Sequence, residues 1–182
     1  MPQIRFATAR SLFDSFPELS KRLSIAPTDE GPLDFLRKLS DQEKFEDGVA
    51  FCAHLLPRRE AVWWACGTIK GSSKDSQSQS EGFLEAQKWV YDPSEENRLA
   101  ALETGNKGDK AKPSTWLALG AGWSGGMLSS HPKAPVPMPN YLTARAVRIA
   151  ILLNAQPVPA VERAANLRAC ITEGIKLAET GL

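Results

Sequence analysis

Two histidines, three cysteines and a serine framed by glycines are the residues of this 182-residue chain whose types and spacing invite a chemical reading. Gly122-Trp123-Ser124-Gly125-Gly126 has the Gly-x-Ser-x-Gly spacing of a hydrolase nucleophile elbow. That motif works because a tight strand-to-helix turn lifts the serine hydroxyl beside oxyanion-stabilising amides. Here the segment before Ser124 reads as helix and the segment after it as a proline-rich loop, the reverse context. His131 is close in sequence, but no acid separates it from Ser124 in the order such a fold uses. The expectation is a glycine-terminated helix with Trp123 packed into the core. A small serine hydrolase using Ser124 is the minor alternative.

His54 follows Cys52 by two positions, which in a helix places the two on different faces. Glu60 is the nearest acid after it, but Pro57 breaks the register, so His54 reads as a surface or satisfied histidine. Cys52, Cys66 and Cys170 are widely spaced and form no Cys-x-x-Cys pair. With only two histidines they cannot complete a usual zinc set, and buried reduced thiols are expected. There is no nucleotide fingerprint, carboxylate-rich metal motif or aromatic-basic RNA signature. No enzyme, metal or cofactor is expected.

What remains is recognition. Leu55 to Cys66 reads LLPRREAVWWAC. Its two arginines follow Pro57 at the start of a helix, the end that disfavours positive charge. An acid of a neighbouring helix, stacking of Arg59 over Trp63, or an acidic partner would stabilise them. Arg58, Arg59 and Glu60 are therefore candidate partner-binding residues, together with His131, Pro135 and Pro137 in a proline-rich surface loop over 129–140. Trp63, Trp64, Trp89, Trp116 and Trp123 are the expected structural anchors, because so large a ring fixes where packing must occur.

The elements that must position these residues are helical. Apolar residues recur at three- and four-residue spacing from Ala7 to Phe16, and Pro32 opens a short helix through Leu39. Ser40-Asp41-Gln42-Glu43 has the capping-box pattern ahead of a helix carrying Phe45, Val49, Cys52, Ala53 and Leu56. The next helix, Arg58 to Lys70, is apolar nearly all round from Ala61 to Cys66, which predicts a central position. Residues 71–80 and 105–112 read as loops, the second following a helix started by an Asp92 cap and stopped by Gly105. Pro113 opens another short helix. The prolines after it predict an extended polyproline path. Asn140 is placed to cap a helix to Asn154, and a last helix, about Pro159 to Glu179, carries a buried stripe that includes Val161. No strand pattern with hairpin turns appears. The reading is all-α, a compact irregular orthogonal bundle of about seven to eight helices in one domain over 1–182, with a small two-helix-repeat stack as the alternative.

Composition narrows the setting. With 42% hydrophobic and 24% charged residues the chain has the make-up of a globular protein. A net charge of +1 lacks the basic excess by which a protein attracts nucleic acid through its own field. The longest apolar runs are too short to span a bilayer, so no membrane insertion is expected. Residues 1–20 contain Asp14 and Glu18 and no continuous apolar core, so no secretory signal is visible and a cytoplasmic location is expected.

In order, LLPRREAVWWAC, WVYDPSEENRLAA, the Trp-Ser-Gly-Gly of GWSGG and PVPMPNYLTARAVRIAILL resemble an uncharacterised bacterial domain family of about this length, associated with gene clusters of type VI secretion systems. The likeness spans roughly residues 45 to 155, and Arg-Glu-Ala-Val-Trp-Trp is its most specific element. The resemblance carries no catalytic residues. It implies a cytoplasmic, non-enzymatic accessory, adaptor or effector-handling protein whose partner is another protein. An immunity protein that neutralises a toxin is the alternative.

Overall fold

The computed structural model describes residues 4–72, 78–129, 131–156 and 158–182. Among them are ten helices and one hairpin. These are α1 (Ala9–Ser15), α2 (Pro17–Ser20), α3 (Pro32–Asp41), α4 (Phe45–Leu55), α5 (Arg58–Gly71), α6 (Glu81–Tyr91), α7 (Glu95–Lys107), α8 (Pro113–Gly122), β1 (Met127–Ser129), β2 (Val136–Pro137), α9 (Leu142–Ala155) and α10 (Ala160–Thr180). The all-α expectation holds. The extra helices are short, such as the single turn of α2 opened by Pro17.

All ten helices contribute to one cluster of buried apolar residues. At one end Phe13, Phe35 and Phe51 pack ring on ring, with centroids 4.8 Å apart for Phe35 and Phe51. At the other, α8 lies among α5, α6, α7 and α9. The most enclosed helix is therefore α8 rather than α5: every α8 residue except Trp116 is buried, whereas α5 leaves Arg59, Gly67, Lys70 and Gly71 exposed or half-exposed. The apolar run from Ala61 to Cys66 hid this, because Gly67 and Gly71 extend the open side of α5 without a polar side chain to mark it.

Several element ends differ from the reading. α3 runs on through Asp41, and Glu43 takes a left-handed conformation (φ 58°) that closes it, with Lys44 N–H donating to Leu39 O. The Ser40 pattern therefore sits at a helix end, and α4 starts at Phe45. The capping box is instead Thr8 with Ser11 on α1. α7 passes Gly105 and ends at Lys107, and its cap is Ser94, not Asp92. The Asp92 carboxylate accepts from Asn97 Nδ2 at 2.9 Å instead. Tyr141, not Asn140, precedes α9. Val161, expected in the buried stripe of α10, is 85% exposed, because Arg163 and Ala164, not Val161, face α4 and the core. The proline-rich segment is not a polyproline path. Val136–Pro137 pairs antiparallel with Met127–Ser129, giving a hairpin that the reading had excluded. Of the predicted loop 71–80, residues 73–77 lie outside the described residues, as does residue 130 of the 129–140 loop.

Candidate functional site

Three of the four motifs behind the resemblance meet at the end of α8. Arg58, the first residue of α5, donates through Nη1 to the Ser124 carbonyl. Arg98 on α7, buried and bidentate on Glu95 at 2.7 and 2.5 Å, donates its third bond to the Gly122 carbonyl at 2.6 Å. The Glu95 carboxylate, through that bond, is held below the ordinary glutamate range. Gly126 turns over this guanidinium with φ +78°, a conformation that glycine alone adopts without cost. Two arginines thus clamp the Trp-Ser-Gly-Gly loop by its carbonyls and fix the base of the hairpin. Arg59 Nε donates to the Val90 carbonyl at 2.7 Å, at the end of α6.

These bonds revise the sequence reading. Neither Arg58 nor Arg59 pairs with an acid within ion-pair distance among the described residues, and Trp63 packs on Tyr91 (centroids 5.5 Å) rather than under Arg59. Glu60 is buried. Trp123 is half-buried against Trp116 and does not join the core. Trp64 and Trp89 are buried, so two of the five anchors lie fully inside. Arg58 meets the loop that opens the hairpin, while His131, Pro135 and Pro137 are exposed on the hairpin itself. Arg59 and Glu60 point to different places. Ser124 follows a helix, its N–H donates to Ala121 O, and its hydroxyl bonds neither histidine among the described residues. The preceding-strand geometry of a nucleophile elbow is missing there.

His54 is buried on α4. Its Nδ1–H donates to the Ala50 carbonyl at 2.7 Å, which leaves Nε2 as the lone-pair nitrogen, 3.7 Å from Glu18 Oε1. Burial pushes its pKa down to about 4, so the ring is neutral near pH 7.

The feature with the dimensions of a ligand site is a groove of about 660 Å³ between α5, the end of α9 and α10. It exists because α5 and α10 meet closely and then diverge. Trp64 Nε1 donates to Cys170 O at 2.8 Å, and Gly174 lets α10 come down on Trp64 and Cys52. Beyond that crossing, Gly67 and Gly71 face space in which an added Cβ would meet nothing within 4 Å. Trp63, Ile151, Leu167 and Leu177 supply apolar walls. Thr68 and the Asn154–Ser72 pair (3.0 Å) supply the polar groups. Glu173 on the rim is bonded to Lys176 at 2.7 Å, whereas Glu162 has no ion-pair partner among the described residues. Apolar surface continues from Trp63 onto Tyr91, which is 65% exposed.

Burial pushes the Cys170 thiol up to about 12 and the Cys66 thiol likewise, so neither is a thiolate near pH 7. Among the described residues no three His, Cys, Asp or Glu side chains could share a metal ion. The sequence reading missed the groove. The available signal was the pair Gly67 and Gly71, four residues apart and so on one face of α5, where each weakens the helix.

No helix among the described residues is long and apolar enough to cross a membrane. The profile of a family of unknown function, DUF6931, matches residues 35–178. No curated protein and no solved structure matches the chain.

Proposed function

The chain belongs to the family of unknown function DUF6931, and from that premise we propose that it is a non-enzymatic adaptor of type VI secretion that holds an amphipathic helix of a secretion component or cargo in the α5–α10 groove. The observation that carries this reading is the groove itself: about 660 Å³, with apolar walls, floored by glycines and rimmed by a Glu162 that has no ion-pair partner among the described residues. A guest helix lays its apolar face into such a channel, and glycines permit close backbone approach. A lysine or arginine on the guest, placed to meet Glu162, complements the rim. The link to secretion rests on the resemblance of the Arg-Glu-Ala-Val-Trp-Trp, Asp-Pro-Ser-Glu-Glu-Asn-Arg and Trp-Ser-Gly-Gly motifs.

The test is affinity capture from native cells with the wild-type chain and with Gly67→Leu, which puts a bulky apolar side chain into the groove from a position where the added Cβ meets nothing within 4 Å. A secretion component or its cargo recovered by the wild type and lost with Gly67→Leu supports the proposal. Equal recovery by both removes the groove from it. Recovery of no secretion component removes the secretion link, and recovery of a toxin encoded alongside replaces the adaptor by an immunity protein.

A further inference from the structure

A second cavity, about 80 Å³, lies where the amino-terminal segment, the end of α4, the start of α5 and the start of α9 converge. It is several times what a single water requires. Arg5, an exposed residue, and the half-buried Arg58 line it, with His54, Asn140, Thr143 and Ala144 around them. Arg5 has one hydrogen bond, to the Leu56 carbonyl at 3.4 Å, and sits over the Phe6 ring. Arg58 has its one bond to Ser124. Neither makes an ion pair with a carboxylate among the described residues. Burial and the neighbouring Arg58 charge both weaken the hold of Arg5 on its proton, and Glu60 is the acid whose field opposes them. Two positive charges thus face one small space that no carboxylate enters.

The third wall adds donors of the same sense. α9 is 14 residues long, has no acid in its first turn and no side-chain cap. The N–H groups of Thr143 and Ala144 are orphan donors of that turn, and both residues line the cavity. Neutral His54 brings no charge, and its Nδ1–H is committed to Ala50. Glu18 Oε1 lies 3.7 Å from its Nε2, and Glu18 does not line the cavity.

We infer that Arg5 and Arg58 form an oxyanion-binding pocket, taking a phosphate or carboxylate group between the two guanidiniums and the first turn of α9. Arginine supplies the planar paired donors such groups fit. The bound anion relieves the repulsion between the two arginines and stiffens the junction from which the clamped loop and hairpin spring. This site is separate from the groove and does not depend on the adaptor reading.

The experiment is titration of the full chain with inorganic phosphate, and in a parallel arm with acetate, against chloride at matched ionic strength, followed by backbone amide NMR. Saturable shifts of the Thr143 and Ala144 amides are expected in the wild type, with binding at least about tenfold weaker in Arg5→Gln, the cost of one charge-assisted contact. Arg10→Gln, on an exposed arginine paired with Asp29, is expected to bind as the wild type does. Saturation by phosphate alone identifies a phosphate site, and saturation by acetate as well identifies a general carboxylate-accepting one. Absence of saturable shifts in the wild type, or equal binding by Arg5→Gln, overturns the inference.

Discussion

Replacing Gly67 by alanine should make the protein more stable, and that sign follows from the geometry. Gly67 lies one turn before the end of α5, in ordinary helical conformation. Alanine in a helix interior is favoured over glycine by roughly 0.5–1 kcal/mol, because glycine loses more backbone freedom on folding. The added methyl meets no atom within 4 Å, so no clash subtracts from the gain and no packing adds to it. For a chain of this length the gain corresponds to a rise in Tm of roughly 1–4 °C. Gly174 gives the opposite sign. A Cβ there would lie 3.1 Å from the Trp64 indole and collide with the Cys52 sulfur, in the middle of the contact between α10 and α5. Overpacking of a core costs roughly 1–3 kcal/mol, more than the helix propensity returns. Urea denaturation followed by tryptophan fluorescence measures both variants. A Gly67→Ala variant less stable than the wild type would mean that the groove is closed in solution, and the case for a guest helix would fall with it.

Three further outcomes are expected. The unfolding free energy should decline as pH falls through the interval from 6.5 to 4, because His54 takes up a proton readily when unfolded and poorly when folded, with a pKa of about 4; the loss by pH 4 is about 3 kcal/mol, and it should vanish in His54→Gln. A folded-state His54 titrating above 6.5 by NMR would show that the nearby Glu18 carboxylate stabilises the charged imidazole more than burial opposes it. Arg98→Ala should cost about 2–3 kcal/mol by leaving the Gly122 carbonyl without its partner, Arg98→Lys should not restore it, and hydrogen exchange of 127–129 should rise in both; unchanged exchange would refute the clamp. Trp64→Ala should cost about 3–5 kcal/mol and Trp63→Ala roughly 1, since the first ring is 4% exposed and the second half-buried; equal losses in equilibrium denaturation would refute that division.

How far the sequence could be read depended on how local the determining force is. Pro32 and Pro113 each open a helix where the reading placed one, because a missing N–H and a fixed φ act within a single residue. The Ser40 capping pattern failed because a stronger local event competes with it: Leu39 is buried and holds α3 in register until Glu43 turns the chain. The Arg58 and Arg98 clamp was illegible for another reason. Both arginines bond main-chain carbonyls, and a carbonyl has no side-chain signature to search for. The hairpin escaped notice because its strands are two and three residues long and contain proline, a length at which alternation cannot be told from irregular chain. The groove is a property of two helices that diverge, which no single segment encodes.

The composition of α5 is hard to explain by stability alone. Adjacent tryptophans on a helix point about 100° apart, so one of them can enter the core while the other stays at its margin. Trp64 does the first and bonds α10 through its indole N–H, and Trp63 does the second beside Tyr91. A helix serving only as scaffold would continue with alanine or leucine at 67 and 71, filling the wedge that opens past Cys170 and gaining helix propensity as well. Instead both positions lack a side chain, in a helix whose opposite face is packed against α8 and α9. Among the described residues these two glycines neither turn the chain nor admit a neighbour, and they leave the folded state weaker than it need be. Their presence is accounted for if what approaches them belongs to another molecule.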